Sequence, residues 1–180
     1  MKALKRIGSS FVRRTAATQI ILRGLCCLGV VAALILIASS QAAMARIQAV
    51  YAHVTGWILN LLGENAAVLG NTVQTSQFGI SVVTACTGIF LTGLFAVAVV
   101  ALPARIRSTA AGLGIGILGI AAFNVIRLVS LYYIGVHLPG ILDLAHVVIW
   151  QSLLILAAVA IWIAWAGAQR RTSGRHGGAS

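Results

Sequence analysis

The sequence STAAGLGIGILGIAAFNVIRLVSLYYI, residues 108–134, decides the fold. It is apolar over nearly its whole length and carries one charge, Arg127. A hydrocarbon core of roughly 30 Å is crossed by about 20 helical residues at 1.5 Å each. This stretch therefore predicts a membrane-spanning helix that has an arginine near one end.

Three further apolar runs flank this stretch, at 24–45, about 87–102 and about 144–168. The run at 87–102 is the shortest and stops at Pro103. Together the four runs predict an all-α integral membrane protein with about four transmembrane helices and a short extracytoplasmic segment between the first and the second.

The composition agrees with this fold class. Apolar residues make up 60% of the chain and charged residues 8%, which are not the values of a water-soluble monomer. The two acidic residues, Glu64 and Asp143, are also too few for a catalytic domain built on carboxylate pairs.

The distribution of basic residues predicts the orientation. Eleven of the thirteen lie before the first run, between the second and third, or after the fourth, whereas Arg46 alone lies in the segment 46–85. Cytoplasmic loops carry this excess of Lys and Arg. We therefore expect a basic cytoplasmic N-terminus (1–23), a transmembrane catalytic domain (24–168) with an external segment (46–85), and a basic cytoplasmic tail (169–180). The clustering at membrane ends also argues against a nucleic-acid partner.

The start of the chain has a second interpretation. Six basic residues, an apolar core and the triplet 43–45 (Ala-Met-Ala) also fit a secretory signal that is cleaved after Ala45. A signal core typically has about 7–15 residues, and this run is longer, which favours an uncleaved first span. Cleavage would leave three spans and the same external site.

The external segment contains two local patterns. Residues 49–62 have the aromatic spacing of an interfacial helix. Residues 73–84 alternate loosely and contain β-branched residues, which predicts a hairpin leading into Cys86.

Three side chains that could take part in catalysis lie at the predicted outer ends of successive spans, namely Cys86, Arg127 and His146. A cysteine at a helix start is favoured as a thiolate, and we expect Cys86 to be reachable from outside. Each residue also has an ordinary interpretation: a buried small side chain, a snorkelling cation and an interfacial anchor. Their coincidence on one side of the bilayer favours a cysteine nucleophile with a proton-transfer partner and an anion-stabilising group.

Two polar neighbours are candidates for supporting roles. Asn124 lies one turn before Arg127 and is placed to steady it or to bind substrate, while Asp143, three residues before His146, is placed to orient the imidazole. No His and carboxylate spacing indicates a metal, and no cofactor is expected. Gly112, Gly116 and Gly119 predict close packing of the third span against its neighbours.

The blocks VTACTGI (83–89) and FNVIRL (123–128), followed by His146, resemble the exosortase/archaeosortase family of membrane transpeptidases. The resemblance covers roughly the C-terminal 110 residues, and the short chain with Trp150-Gln151 is most similar to the compact exosortase H group. Thr87 stands where the family commonly has serine, and many members have more spans.

The resemblance implies a function and a location. A bacterial plasma-membrane enzyme of this family cleaves exported proteins that carry a C-terminal motif, an apolar helix and a basic tail, and transfers the new carboxyl to an acceptor. Cys86 would form the thioester, Arg127 would stabilise the thiolate or oxyanion, and His146 would shuttle protons. Thr87 keeps a supporting hydroxyl.

Two alternatives remain open from the sequence. The protein is alternatively a non-enzymatic membrane scaffold or assembly subunit whose polar residues tie helices together. An intramembrane cysteine protease that releases its product to water would use the same three residues.

The predicted topology is testable with reporter fusions. Fusions after Arg105 and after Ala168 are expected to be cytoplasmic, and a fusion after Gln74 external, because of the asymmetric basic loops. A cytoplasmic reporter signal at Gln74 would contradict the topology and would leave Cys86 on the inner side.

Overall fold

The computed structural model describes the backbone of residues 2–176 and the side chains of residues 18–169 and 171. The predicted basic segments 1–23 and 169–180 lie mostly outside the described side chains. Within the described part the chain is predominantly helical. The elements in chain order are α1 (Lys2–Ser39), α2 (Gln41–Leu61), β1 (Ala67–Leu69), β2 (Thr72–Gln74), β3 (Gly79–Ser81), α3 (Ile89–Ala101), α4 (Ile106–His137), α5 (Leu142–Leu144) and α6 (Trp150–His176).

Three helical stretches in the described part are long and apolar enough to cross a membrane: Thr18–Ser39, Ile106–His137 and Pro139–Gln169. The second predicted run, about 87–102, forms α3, which has only 13 residues. At 1.5 Å per residue α3 is about 20 Å long, short of a complete crossing. The helix cannot begin earlier as a regular α-helix, because Gly88 has a left-handed φ of 66°.

The predicted first span, 24–45, is wrong in its end point, because the helix is broken at Ser40. This residue has an extended backbone, and its side chain accepts a hydrogen bond from the Ala43 N–H at 3.3 Å. A serine in this conformation is a favourable N-cap, so a new helix, α2, starts at Gln41. The predicted interfacial helix, 49–62, is the later part of α2.

A small antiparallel sheet of three strands, in the order β1-β2-β3, follows α2. Strands β2 and β3 form the hairpin that the sequence predicts, with Val73 opposite Ile80. Strand β1 was not predicted, because it lies before the alternating stretch 73–84. Val73, on β2, is fully buried against the C-terminal half of α4, so the sheet covers that end of the helix.

Helices α3 and α6 pack on three glycines in the N-terminal half of α4. At Gly112, Gly116 and Gly119 a large side chain of a neighbouring helix occupies the space that a Cβ would take, so the predicted close packing is confirmed. The contacts are Trp165 on Gly112, Phe95 on Gly116 and Ile161 on Gly119. The indole Nε1 of Trp165 also donates to the Ser108 carbonyl at 3.0 Å. The start of α4 is therefore fixed beside the end of α6.

A separate core, the sheet core, lies where α2, the sheet and the C-terminal half of α4 meet. Its fully buried members include Leu59, Val82 and Leu128, and Cys86 belongs to the same cluster. The Tyr132 hydroxyl, also in this core, lies 2.8 Å from Glu64 Oε2. The sheet core thus fixes the segment that leads into Cys86 against the helix that carries Arg127.

The glycine packing gives a test by matched substitutions two residues apart. We expect Gly116→Ala to destabilise the protein by about 1–3 kcal/mol, because the added Cβ meets the Phe95 ring. Gly114→Ala has open space around it and is expected to be neutral or stabilising, since alanine favours a helix over glycine by about 1 kcal/mol. Thermal unfolding in detergent measures both, and an equal loss in the two variants would contradict this packing.

Candidate active site

A short 3₁₀ turn, Thr84–Cys86, holds the cysteine. The Cys86 N–H donates to the Val83 carbonyl at 2.8 Å, and the Thr87 hydroxyl donates to the Thr84 carbonyl at 2.7 Å. Thr87, predicted as a supporting residue, therefore closes the turn. Cys86 lies three residues before α3 begins, so the prediction that it sits at the start of that helix is wrong.

Asn124, on α4, holds this turn in place through a side-chain hydrogen bond. Its side-chain amide donates a short hydrogen bond to the Cys86 carbonyl, and Asn124 is fully buried. The sequence predicted that Asn124 steadies Arg127 or binds substrate, whereas the structure shows that its amide holds the backbone of Cys86. The reason is that Asn124 and Gly88 face each other across the α3–α4 contact, which brings the turn within reach of the amide.

His146 comes from the opposite side, at the beginning of the last span. Its Nε2 lies 3.7 Å from the Cys86 Sγ, within hydrogen-bond reach for sulfur. His146 lies in a π-helical turn, Ala145–Ile149, rather than in a regular α-helix. Such turns are rare and occur frequently at functional sites. The predicted pairing of Cys86 with His146 is thus present in the geometry.

Arg127 joins the same group from α4. Its Nη2 donates to the His146 carbonyl at 3.3 Å, and the residue is 2% exposed. Its Nε and Nη1 have no hydrogen-bond partner among the described residues. Snorkelling to the outer headgroups, the ordinary alternative, does not fit a guanidinium that is buried and bonded to another helix. Among the described residues the guanidinium is therefore held through Nη2 alone.

Asp143 interacts with the His146 imidazole through space, as a nearby charge, and not through a hydrogen bond. Its side chain is exposed, and no hydrogen bond joins it to His146 in the part of the chain that the structure describes. The prediction assumed a regular helix, in which residues three apart share a face. Between these two residues the chain passes from a short α-turn, α5, into the π turn, which changes that phase.

A cleft of about 350 Å³ opens beside these residues. It is bordered on one side by the Cys86 turn and the start of α3, and on the other by Arg127 and the helix that follows His146. The polar lining consists of Thr84, Arg127, His146 and Gln151, and the remaining lining is apolar or small. Peptide-sized ligands bind in concave sites of this kind, where a few polar groups converge on an apolar wall.

Cys86 is less accessible than the sequence suggested. It is 2% exposed, although Thr84, Ala85 and Gly88 around it border the cleft. The sheet core packs on one side of the thiol and His146 faces it on the other. Access to the sulfur therefore requires a small group entering through the cleft.

The arrangement can support acyl transfer. A thiol beside an imidazole nitrogen can be deprotonated for attack on a carbonyl, and fixed guanidinium N–H groups can stabilise the oxyanion that forms. Among the described residues, no group of three or more His, Cys, Asp or Glu side chains could hold a metal ion.

One supporting residue, Gln48, is not marked by any pattern in the sequence. Gln48, on α2, donates from Nε2 to the Thr84 hydroxyl at 3.2 Å and so holds the Cys86 turn against α2. It lies 36 positions from Thr84, in an ordinary helical context, so no local pattern marks it. His53 is exposed on α2 and His137 stacks on Tyr133, so neither belongs to the site.

Comparison with known proteins adds no relative. No family model matches the chain, and neither a curated protein nor a solved structure does. The assignment of function therefore rests on the residues and their geometry.

The burial of Cys86 predicts which reagents reach its thiol in the purified protein. A bulky polymer-linked maleimide is expected to spare Cys86 until the protein is denatured, because the thiol is buried. Iodoacetamide is small enough to enter the cleft and is expected to alkylate Cys86 in the folded state. Peptide mass analysis measures both reactions, and modification of Cys86 in the folded protein by the polymer-linked maleimide would contradict the described burial.

Proposed function

We propose that this protein is a membrane-embedded cysteine transpeptidase or protease that cleaves C-terminal sorting signals of exported proteins and transfers them to an acceptor. The observation that carries the proposal is the 3.7 Å approach of Cys86 Sγ to His146 Nε2, beside a cleft bordered by a buried arginine with unpartnered N–H groups. The resemblance of the 83–89 and 123–128 blocks to exosortases supports the same chemistry.

The first half-reaction forms a thioester. Cys86 gives its proton to His146 Nε2 while Sγ attacks the scissile carbonyl carbon, and the negative charge moves to the carbonyl oxygen. Arg127, which borders the cleft, is the cationic donor for that oxygen. As the tetrahedral species collapses, the C–N bond breaks and His146 returns the proton to the leaving amine.

The second half-reaction resolves the thioester. An acceptor amine or a water molecule attacks the thioester carbonyl and gives a proton to His146, and the C–S bond breaks. The sulfur leaves as thiolate and takes the proton back, which restores the starting state. Transfer and hydrolysis differ only in the nucleophile of this step, so a purely hydrolytic protease is the nearest alternative within the same mechanism.

The proposed topology has four spans, with α3 completed at its outer end by the Cys86 turn. The N- and C-termini are cytoplasmic, and the site is on the extracytoplasmic face of a bacterial plasma membrane. Two features support it. Arg23 lies beside Pro103 at the end of α3, and the end of α6 is bonded to the start of α4, so basic segments gather at one end. The site lies towards the opposite ends of these helices.

The proposed partners are membrane lipids, an acceptor, and exported proteins with a C-terminal motif, an apolar helix and a basic tail. The basic tail of such a substrate would remain inside while its motif reaches the cleft outside. Nucleic acid is not a partner in this account, because the basic residues flank membrane spans.

A scaffold function is the second candidate, and the interhelical bonds favour it. Arg127 holds the His146 backbone and Asn124 holds the Cys86 backbone, as purely structural ties between helices would. This candidate predicts that the thiol is dispensable, since neither bond uses the Cys86 sulfur.

The proposal predicts a division of labour among variants co-expressed with an exported substrate of this class. Cys86→Ala is expected to abolish processing, because only the thiol forms the covalent bond. His146→Ala is expected to cost about 10²–10⁴-fold and Arg127→Ala about 10²–10³-fold, the usual worth of acid–base and oxyanion groups. Arg127→Lys should approach Arg127→Ala, since a lysine lacks the planar set of donors.

Mass analysis of the new C-termini measures processing and also separates transfer from hydrolysis. His53→Ala is the matched control, because His53 is exposed and outside the site, and it should process normally. Each variant is compared at equal membrane abundance. Processing by a well-accumulated Cys86→Ala protein would disprove the thioester mechanism and favour the scaffold.

A further inference from the structure

The last span has an irregular turn where it carries His146. The Trp150 N–H donates to the Ala145 carbonyl, five residues back, whereas an α-helix bonds four residues back. One extra residue is therefore accommodated in the turn Ala145–Ile149. The extra residue changes which of the following side chains lie on the same face of the helix as His146.

The π turn brings Gln151 to the side of the helix that carries His146. In a regular α-helix, residues five apart point about 140° away from each other. In a π turn the hydrogen bonds join residues five apart, so these residues lie nearly above one another. Both His146 and Gln151 border the cleft, while Trp150 turns away and packs edge-on against Phe123 at 6.2 Å between ring centroids.

Of the four polar residues that line the cleft, Gln151 is the one whose side chain has no partner among the described residues. Thr84 accepts from Gln48, Arg127 donates to the His146 carbonyl, and His146 itself faces Cys86. The Gln151 side chain is exposed and has no hydrogen bond to any described residue. Its neighbours Val147 and Leu154 on the same wall are apolar.

We propose that Gln151 binds the main chain of the peptide that occupies the cleft, close to the bond that is cut. A carboxamide has a donor N–H₂ and an acceptor oxygen, and so matches the C=O and N–H of one extended peptide unit. On an otherwise apolar wall these two groups would fix the position of the peptide relative to Cys86. This role rests on the proposed function, and it makes Gln151 a substrate-binding residue.

The test uses alkylation of Cys86 in the purified protein, in a Cys26→Ser, Cys27→Ser background. Iodoacetamide probes the thiol alone. A short neutral peptidyl chloromethyl ketone, from which the thiol displaces chloride, probes the thiol together with peptide binding. The peptidyl reagent should show saturation, with an apparent dissociation constant KI and a limiting rate kinact.

Gln151→Leu is expected to raise KI about 3- to 10-fold, the effect of losing one or two hydrogen bonds. It should leave kinact and the iodoacetamide rate unchanged, because the thiol and His146 are intact. Gln77→Leu is the matched control, since Gln77 is exposed outside the cleft, and its KI should equal that of the wild type.

The experiment distinguishes a failure of the Gln151 role from a failure of the proposed function. An unchanged KI in Gln151→Leu would overturn the role of Gln151 and leave the proposed function standing. A changed iodoacetamide rate in this variant would also overturn it, because Gln151 would then act on the thiol site rather than on the peptide. If wild-type Cys86 showed no saturable reaction with the peptidyl reagent, the proposed function would fail together with this role.

Discussion

The bond from Arg127 to the His146 carbonyl is the interaction on which the arrangement of the site depends. An arginine inside a membrane span costs about 2.5–3.5 kcal/mol on insertion scales unless it is paired. This bond satisfies one of its donors, and it acts on the backbone of the π turn rather than on a side chain. It therefore ties the orientation of the imidazole to the position of α4, the helix that also holds Cys86 through Asn124. A single helix thus positions both partners of the proposed thiol–imidazole pair.

The long helices and the three central residues of the site could be predicted from sequence. Apolar runs of sufficient length report spans directly, because the bilayer excludes unpaired backbone. Cys86, Arg127 and His146 stood out because polar groups at span ends are few in this chain. Their convergence needed only the assumption that successive spans return to the same side. The approach of Cys86 to His146 agrees with that assumption.

The details that sequence reasoning missed depend on single residues and distant contacts. Ser40 breaks the first run because its side chain caps a new helix, and hydropathy does not register caps. The π turn depends on a one-residue phase shift, which is invisible in an apolar segment and which misled the assignment of Asp143. The bonds from Asn124 to Cys86 and from Gln48 to Thr84 join positions 38 and 36 residues apart, so no local pattern could reveal them.

The central claim is that Cys86 attacks a peptide carbonyl and carries the acyl group. Intact-mass analysis of the purified protein, quenched in acid during turnover of an exported substrate, measures this most directly. The account predicts a mass increase equal to the N-terminal substrate fragment, located on Cys86 and removed by neutral hydroxylamine. Accumulation of new substrate C-termini while Cys86 stays unmodified at every quench time, in the wild type and in the slower His146→Ala protein, would contradict it.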